Sequence, residues 1–427
     1  MIFKVKREDF LKGLRTVEKA IFENKVKPII SCVYMEARER ELFFCGTNLE
    51  MTIITTIPCD DVIAEGKIVF LHGIVQEYVG ELKNEKITVS ISENNLLIEG
   101  EDSSSEFALM DPDEYPKIPV NSDFDEKEES FKINSKELAD LFDKIKFAAS
   151  ISNEKISMNC VRIESENNII KFIATDAYRL AYLEYKIENI SQEVKVSIPL
   201  VTVDSLVKVL RTNENKDVKF YSYDGKVFFK MEETLTISRV IDLEFHNYKV
   251  LLENNQYDKK LVMNAEEFNK ILKRVIIFAR NNPDSKYGAI FDFKGKEFSI
   301  DGANDLAQIK EILNVDYKGE DIIIGLNVKF ILDFIQNLDK SNDVLMELAN
   351  PNSFVRFAAL DNENNLKLKE ETTEEIDIKE DNIGEEDIKN EETQVTKVDA
   401  EKISDIKIKE NNLKQYTYIV MPYAYKR

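Results

Sequence analysis

The chain has 427 residues, of which 43% are hydrophobic, and a formal net charge of −22. This length is too great for one hydrophobic core and suits about three domains of 100–150 residues. No apolar run approaches the ~20 residues of a membrane span, and the N-terminal MIFKVKRED lacks a signal-peptide core. We therefore expect a soluble, cytoplasmic protein, and the acidic balance argues at first against nucleic acid as a partner.

The opening strand and helix pattern occurs three times. The segment FKVKREDFLKGLRTVEKAI (3–21) recurs in pattern as FKINSKELADLFDKIKFAA (131–149) and LVMNAEEFNKILKRVIIFA (261–279). Apolar residues at helical spacing fall on one face of each predicted helix. These stripes are Phe10, Leu14, Val17 and Ile21, then Leu138, Phe142, Ile145 and Ala149, then Phe268, Leu272, Val275 and Ala279. The chain therefore consists of three repeats.

Each repeat also contains a second helical pattern and several strand patterns. The second helices end at Leu82, Leu210 and Leu338. In the first repeat the segments near 29–37, 41–46 and 51–57 predict strands, and ITVSISENNLLIEGE predicts two more around an Asn-Asn turn. The predicted fold class is α+β, with two helices packed on antiparallel sheets in each of three repeats.

Local signals mark several boundaries. Asn134 and Asn264, each followed three residues later by Glu, predict helix N-caps with a capping box. Asp224-Gly225 predicts a two-residue hairpin turn. The predicted domains are 1–125, 130–252 and 258–427, and the acidic NSDFDEKEE (121–129) reads as a linker.

A charged segment interrupts the third repeat. Residues 368–414 hold sixteen acidic and eight basic residues and no aromatic one, so we expect a disordered insertion. ENNLK occurs at 363–367 and again at 410–414. Removing one copy with the segment between them leaves a plausible turn between two strands, which predicts an insertion into a hairpin loop.

Neither a metal site nor a catalytic site is predicted. The cysteines have no CxxC spacing and read as buried reduced thiols; they are Cys32, Cys45, Cys59 and Cys160. His72, at a helix start, reads as structural. The motifs GxxxxGK[ST], GxGxxG, HExxH and GxSxG are absent. We therefore expect no cofactor and no enzyme activity, although a hydrolase with unrecognised carboxylates stays open as an alternative.

Basic side chains cluster on the first helix of each repeat, largely opposite the apolar stripe. On any one helix a solvated face explains them, but recurrence in several repeats favours a basic surface that contacts phosphates without reading sequence. The second repeat is mixed, because Asp140 and Asp143 share its face. The predicted DNA-facing residues are Lys12, Arg15, Lys19, Lys25, Lys136, Lys144, Lys270, Lys273, Arg274 and Arg280.

Four stretches together resemble the bacterial sliding clamp, the beta subunit of DNA polymerase III. They are the N-terminal strand and helix followed by Pro28, TDAYRL at 175–180 for the family's TDGHRL, IGLNVKFIL at 324–332, and YIVMP at 418–422 for the family's YVVMP. The resemblance covers the chain except the insertion. It implies a head-to-tail homodimeric ring that encircles duplex DNA and tethers the polymerase. A separate clamp loader with its own ATPase would open the ring.

The resemblance also implies a cleft between the second and third repeats that binds short peptides with Leu and Phe anchors. We expect Leu180, Val420 and Met421 to supply apolar surface and Arg179 to orient the peptide. Carried over position by position, the cleft residues are Met158, Thr175, Ala177, Tyr178, Arg179, Leu180, Leu251, Asn327, Phe330, Ile419, Val420, Met421, Pro422 and Tyr423.

Some positions depart from the family pattern. Ala177 and Tyr178 replace Gly and His of the signature, and His246 stands where proline is usual. Phe107 and Leu109 match apolar positions of the subunit interface, whereas the facing segment at 281–286 is polar and short. Expected partners are DNA, a second copy, the loader, the polymerase alpha subunit and other peptide-bearing proteins, without a membrane. The alternative is a peptide-binding scaffold that does not encircle DNA.

Overall fold

The computed structural model describes residues 1–59, 61–119, 127–152, 154–253, 257–283, 285–315, 317–340, 342–360 and 413–424. The chain divides into two compact units, Met1–Leu252 and Glu253–Arg427. The first unit holds the first two sequence repeats, and the second unit holds the third. Most of the predicted linker (121–126) and of the predicted insertion (368–412) lies outside the described residues.

The described residues contain seven α-helices, six of which are the two helices predicted for each repeat. Their bounds are α1 Arg7–Val17, α2 His72–Glu81, α3 Ser135–Lys146, α4 Leu200–Thr212, α5 Lys249–Leu252, α6 Ala265–Ala279 and α7 Val328–Ile335. Within each repeat the two long helices touch, α1 with α2, α3 with α4 and α6 with α7. The helix α5 is a single turn near the end of the first unit.

The strands follow the same order in each copy, except that the first repeat has one additional strand, β5. In the first repeat they are β1 Ile2–Lys6, β2 Cys32–Arg38, β3 Glu41–Thr47, β4 Met51–Pro58, β5 Asp61–Ala64, β6 Gly66–Leu71, β7 Lys86–Ser92, β8 Asn95–Glu99 and β9 Ser104–Met110. In the second they are β10 Phe131–Asn134, β11 Cys160–Glu166, β12 Ile169–Thr175, β13 Arg179–Lys186, β14 Val194–Pro199, β15 Asp217–Tyr223, β16 Lys226–Lys230 and β17 Thr234–Arg239. In the third they are β18 Lys259–Asn264, β19 Gly288–Lys294, β20 Glu297–Ala303, β21 Gln308–Asn314, β22 Ile322–Asn327, β23 Asp343–Leu348, β24 Val355–Leu360 and β25 Leu413–Val420.

One antiparallel sheet runs through both repeats of the first unit, in the order β10-β15-β16-β17-β4-β3-β2-β6-β9-β8-β7-β1-β5. The junction is the pair β4 and β17, where the buried hydroxyls of Thr55 and Thr234 lie 2.9 Å apart. An apolar cluster at this junction includes Phe43 from the first repeat with Phe228 and Ile237 from the second. This continuity explains why two sequence repeats form one compact unit.

The remaining strands are also antiparallel. In the first unit four of them follow the order β14-β11-β12-β13. In the second unit the orders are β25-β24-β23-β18 and β21-β20-β19-β22. The α+β class with three helix-pair repeats is therefore confirmed.

The predicted helix stripes form the core of each repeat. Phe10, Leu14 and Val17 are fully buried, as are their counterparts Leu138, Phe142, Ile145, Phe268, Leu272 and Val275. The Phe10 ring packs edge-on against Phe44 at 5.6 Å, and Phe142 packs likewise against Phe172 at 5.6 Å. Burying one such side chain contributes about 1.5–3 kcal/mol. Helices α1 and α3 are shorter than their stripes, because Ile21 and Ala149 lie beyond them, whereas α6 ends at Ala279, the last residue of its stripe.

The predicted caps and turns are confirmed in part. Asn134 Oδ1 accepts a hydrogen bond from Lys136 N at 2.9 Å, so the N-cap is present. The other half of the capping box is not, because Glu137 Oε2 accepts from the Tyr185 hydroxyl at 2.7 Å instead. Asp224 and Gly225, with φ of 50° and 68°, form the predicted turn between β15 and β16.

Two boundaries differ from prediction. The turn between β7 and β8 is Glu93-Asn94 rather than Asn-Asn, because Ser92 pairs with Asn95. Leu413 and Lys414, assigned to the insertion, instead begin β25. The strands β24 and β25 pair antiparallel, with Val355 opposite Val420, so residues 361–412 connect two neighbouring strands.

The cysteines and His72 are structural, as predicted. All four cysteines are reduced and buried. Burial raises the pKa of Cys32 and Cys160 to about 11 and that of Cys45 to about 12, which keeps these three protonated and unreactive. His72 is buried with its Nε2 3.2 Å from the Leu14 carbonyl, where burial lowers its pKa.

Candidate functional site

The TDAYRL segment forms a tight turn between β12 and β13. The Thr175 hydroxyl donates to the Arg179 carbonyl at 2.7 Å, and Asp176 Oδ1 accepts from the backbone N–H groups of Tyr178 and Arg179 at 2.9 and 3.0 Å. Ala177 has a φ of 78°, a left-handed conformation that favours glycine. This hydrogen bonding holds the alanine there against its own preference.

The side chains of this turn differ in how accessible they are to a ligand. Arg179 Nε donates to Asp176 Oδ2 at 2.9 Å, and only 11% of the Arg179 side chain is exposed. Tyr178 is 56% exposed, with the Lys155 ammonium 4.9 Å from its ring centre. The charge of Arg179 is therefore neutralised by Asp176, and its side chain stabilises the turn. Tyr178 is the side chain that a ligand can reach.

The side-chain cap of this turn recurs in the other repeats, and the left-handed residue recurs in the first; the sequence reasoning missed both. Asn48 Oδ1 accepts from Met51 N at 2.7 Å, and Leu49 has a φ of 76°. Asn304 Oδ1 accepts from the N–H groups of Leu306 and Ala307, both at 2.9 Å. The available signal was an Asn or Asp at the end of the third long strand of each repeat. The turn is thus a feature of the scaffold, and its side chains distinguish the second copy.

The remaining first-unit residues of the predicted site are half-buried. Met158 ends a short 3-10 turn, and its carbonyl accepts from Ser150 N at 3.0 Å. Leu251 lies in α5, where its N–H donates to the Tyr248 carbonyl at 3.0 Å. His246, in the position where proline is usual, is exposed.

In the second unit the predicted site consists of the start of α7 and the segment after β25. Asn327 caps α7, because its Oδ1 accepts from Phe330 N at 3.2 Å. The Tyr418 hydroxyl donates to the Phe330 carbonyl at 2.9 Å and ties β25 to α7. Beyond β25, Met421 is 43% exposed, whereas Pro422 and Tyr423 are half-buried.

Part of the expected apolar surface is not surface. Leu180 is 2% exposed and Val420 is 0% exposed, and Ile419 is buried as well. Leu180 begins a run of four buried residues in β13, and Val420 ends a run of five in β25, so both faces of these strand segments are covered. The expectation that Leu180 and Val420 offer surface is wrong, and Met421 is the exposed member of that trio.

Of the predicted basic residues on the first helices and just after them, some are open and others are paired. Lys12, Arg15, Lys25, Lys136, Lys273 and Arg280 are exposed, and within the described residues no carboxylate lies within 4 Å of them. Lys144 is half-buried. Lys19 pairs with Glu18 at 3.1 Å and Lys270 with Glu266 at 3.0 Å.

Two ion-pair networks change the expected charge pattern. Arg274 donates two hydrogen bonds to Glu311 of β21, at 2.6 and 2.7 Å, and these bonds lower the pKa of Glu311. Arg274 is therefore turned toward the sheet rather than left free for phosphate. On α3, Asp140 and Asp143 share the face of the basic residues. Both carboxylates accept hydrogen bonds from the Arg211 guanidinium of α4, at 2.6 Å and 3.0 Å respectively.

Two open strand edges complete the candidate surfaces. Strand β9 pairs with β8 along Ser104–Ala108 and with β6 only at Leu109 and Met110. Phe107 and Leu109 are half-buried, and the Phe107 ring lies 5.5 Å from Tyr78. In the second unit β21 is an edge strand, and a groove of 710 Å³ separates it from α6. Ile312, which lines this groove, is 58% exposed and was missed by the sequence reasoning.

The described part of the chain offers neither a metal site nor a membrane-spanning helix. It contains no group of three or more His, Cys, Asp or Glu side chains placed to hold a metal ion. No helix there is long and apolar enough to cross a membrane.

The sequence matches all three domains of one family. Residues 1–119 match the DNA polymerase III beta subunit N-terminal domain, 132–247 its central domain and 251–372 its C-terminal domain. The curated beta sliding clamp of Staphylococcus aureus strain Mu50 is 25% identical over 348 residues, covering 79% of this chain and 90% of that protein.

Solved structures share the fold. The DNA polymerase III beta subunit of Thermotoga maritima aligns over 100% of both chains, with a TM-score of 0.79 and 21% identity. A sliding clamp of Pseudomonas aeruginosa bound to griselimycin also covers 100% of both chains, with a TM-score of 0.79 and 20% identity.

Proposed function

The chain belongs to the family of bacterial sliding clamps, the beta subunits of DNA polymerase III, and we propose that it is a processivity factor that encircles duplex DNA. The observation that carries the proposal is the match of all three family domains, in order, to three repeats with the same pair of helices. A clamp needs no catalytic site of its own, because it holds DNA by topology. We therefore propose no enzyme activity.

Sequence-independent DNA contact fits the open basic residues of the first helices. Lys12 and Arg15 on α1 and Lys273 on α6 are exposed and have no carboxylate partner within the described residues. Lysine and arginine facing phosphates release counterions without reading bases. We assign a smaller part to Arg274, because Glu311 already holds its guanidinium.

We propose that partner proteins bind through short peptides at the residues that the family resemblance names. Met421 and Tyr178 would make direct contact, since both are substantially exposed. Leu180 in the first unit and Val420 in the second are buried and would make no direct contact. Met is suited to this role because its unbranched side chain adapts to different apolar anchors. The polymerase alpha subunit and the clamp loader are the proposed partners, in the cytoplasm at the nucleoid.

We propose a homodimer in which the open edge of β9 from one copy meets the edge strand β21 and the adjoining groove of the other. Leu109 and Phe107 would cover Ile312 and Val262, which are 58% and 41% exposed. Such a contact joins two different surfaces, so two copies close into a ring only if the rotation between them closes. The proposed domain bounds remain 1–125, 130–252 and 258–427.

The proposed function is tested by primer extension with the polymerase, its loader and ATP. Wild-type protein should lengthen the products made in one binding event. The variant with Met421→Ala and Pro422→Ala should fail to do so while keeping its fold. Product lengths that do not depend on the wild-type protein would contradict the proposal.

A further inference from the structure

The C-terminal segment after β25 rests on two glycines of the second unit. Tyr423 N donates to the Gly325 carbonyl at 3.0 Å. A Cβ at Gly325 would lie 2.9 Å from the Tyr423 carbonyl oxygen and 3.1 Å from two atoms of its ring. A Cβ at Gly288 would lie 2.6 Å from Cζ and Oη of Tyr423 and 2.8 Å from the Ser285 carbonyl oxygen. Both places are filled by Tyr423 because neither glycine has a side chain.

The two glycines share one face of the sheet. Strands β19 and β22 are antiparallel, with Gly288 opposite Asn327 and Ile290 opposite Gly325. Residues two apart on a strand face the same side, so the two glycines are diagonal neighbours on that face. Gly288 and Gly325 both have ordinary strand conformations, with no left-handed φ. Backbone conformation therefore does not require glycine at either position. Glycine is required because Tyr423 approaches both positions closely.

We propose that Gly288 and Gly325 form a cradle for the Tyr423 ring, and that this cradle positions Met421 and Pro422 for peptide binding. The cradle rests on the proposed function for its link to peptides. Tyr423 then acts as an anchor rather than as a peptide contact. The two residues between β25 and Tyr423 are held at both ends, by the sheet pairing of β25 and by the anchored ring. A peptide meeting a fixed Met421 does not have to order it.

The test compares Gly325→Ala, Tyr423→Ala and the double variant in the full chain. Gly325→Ala is the cleaner perturbation, since the three atoms closest to its new methyl all belong to Tyr423. Gly80→Ala on α2 is the matched control, because nothing lies within 4 Å of the added Cβ. Binding is measured by anisotropy of a fluorescent short peptide with Leu and Phe anchors. Release of the C-terminal residues by a carboxypeptidase, followed by mass spectrometry, reports anchoring without any peptide.

The cradle predicts that Gly325→Ala and Tyr423→Ala each weaken peptide binding roughly tenfold, the cost of ordering about one residue. The double variant should bind the peptide as tightly as the single variant with the lower affinity, because both changes act on one anchor. Gly325→Ala should also speed loss of Tyr423 to the carboxypeptidase, with Gly80→Ala behaving as wild type.

Unchanged trimming of Gly325→Ala overturns the cradle, whatever the peptide result. Additive losses in the double variant overturn the link between the cradle and peptide affinity. If wild-type protein binds no peptide while Gly325→Ala still accelerates trimming, the peptide part of the proposed function fails and the anchoring stands.

Discussion

Shortening the connection between β24 and β25 should stabilise the second unit. The perturbation is deletion of residues 368–414. Because ENNLK ends both at 367 and at 414, the shortened chain still places Leu-Lys before Gln415, as β25 requires. The strand keeps its sequence and its pairing register with β24. Register matters here, because a slip of one residue would turn the buried face of β25 outward.

The magnitude follows from loop closure. The deletion shortens the connection between β24 and β25 from 52 residues (361–412) to the five residues DNENN. For a chain without a core of its own, as the composition predicts, the closure term (3/2)RT ln(52/5) is about 2 kcal/mol. For a unit of this size, that corresponds to a rise in Tm of about 4–8 °C.

Thermal unfolding followed by circular dichroism and calorimetry measures the change. The control replaces 368–412 with a Gly/Ser segment of the same length, which should leave Tm at the wild-type value. A deletion that lowers Tm, or a Gly/Ser replacement that lowers it, would refute the reasoning. Either result would mean that the inserted segment makes contacts that stabilise the folded chain.

Three further predictions concern single side chains. Ala177→Gly should stabilise the first unit by about 0.5–1 kcal/mol in urea unfolding, because glycine accepts the left-handed φ of 78°; a loss of stability would contradict this. Lys273→Gln should lower the salt slope of binding to a short duplex by about 1, and Arg274→Gln, already held by Glu311, should lower it much less; equal slopes would reject the assignment. Burial lowers the pKa of His72, so the first unit should lose stability as pH falls below 6.5, and His72→Gln should flatten that dependence.

The sign for His72 follows from proton binding. The unfolded chain takes up a proton below the ordinary histidine pKa of 6.5, whereas the folded chain resists it until a lower pH. Stability is therefore full above that value and declines as pH falls toward the lowered folded pKa. A Tm that is flat between pH 7 and 5 in the wild type would contradict the burial argument.

The sequence predicted those features that depend on local periodicity and turn chemistry. The stripes containing Phe10, Leu138 and Phe268 became cores because an apolar face must be buried wherever the helix lies. Asp224-Gly225 became a turn because both residues tolerate positive φ. These signals are complete within a few residues, so they need no knowledge of the rest of the chain.

Features that join distant segments escaped prediction. The pairing of β4 with β17 depends on Thr55 meeting Thr234, and neither segment identifies its partner. Arg274 was assigned to DNA because its helix face is exposed, but its partner Glu311 lies 37 residues away in strand β21. Position on a helix face gives the direction of a side chain and does not reveal which neighbour will neutralise its charge.

The resemblance to a family located the candidate site but not its exposure. Leu180 and Val420 were expected at the surface because apolar residues in a ligand site are often accessible. Both are buried, since each lies on a packed strand. Exposure depends on what packs against each face of the strand, and a motif of five or six residues does not establish this.

The central claim is that the chain holds DNA by encircling it. The most direct measurement is retention on nicked circular DNA, loaded with a clamp loader and ATP in moderate salt, before and after the circle is cut. We predict stable retention on the circle that disappears on linearisation, because a closed ring slides off free ends. Binding that is weak, lost with added salt and unaffected by cutting would contradict it and would indicate ordinary electrostatic contact.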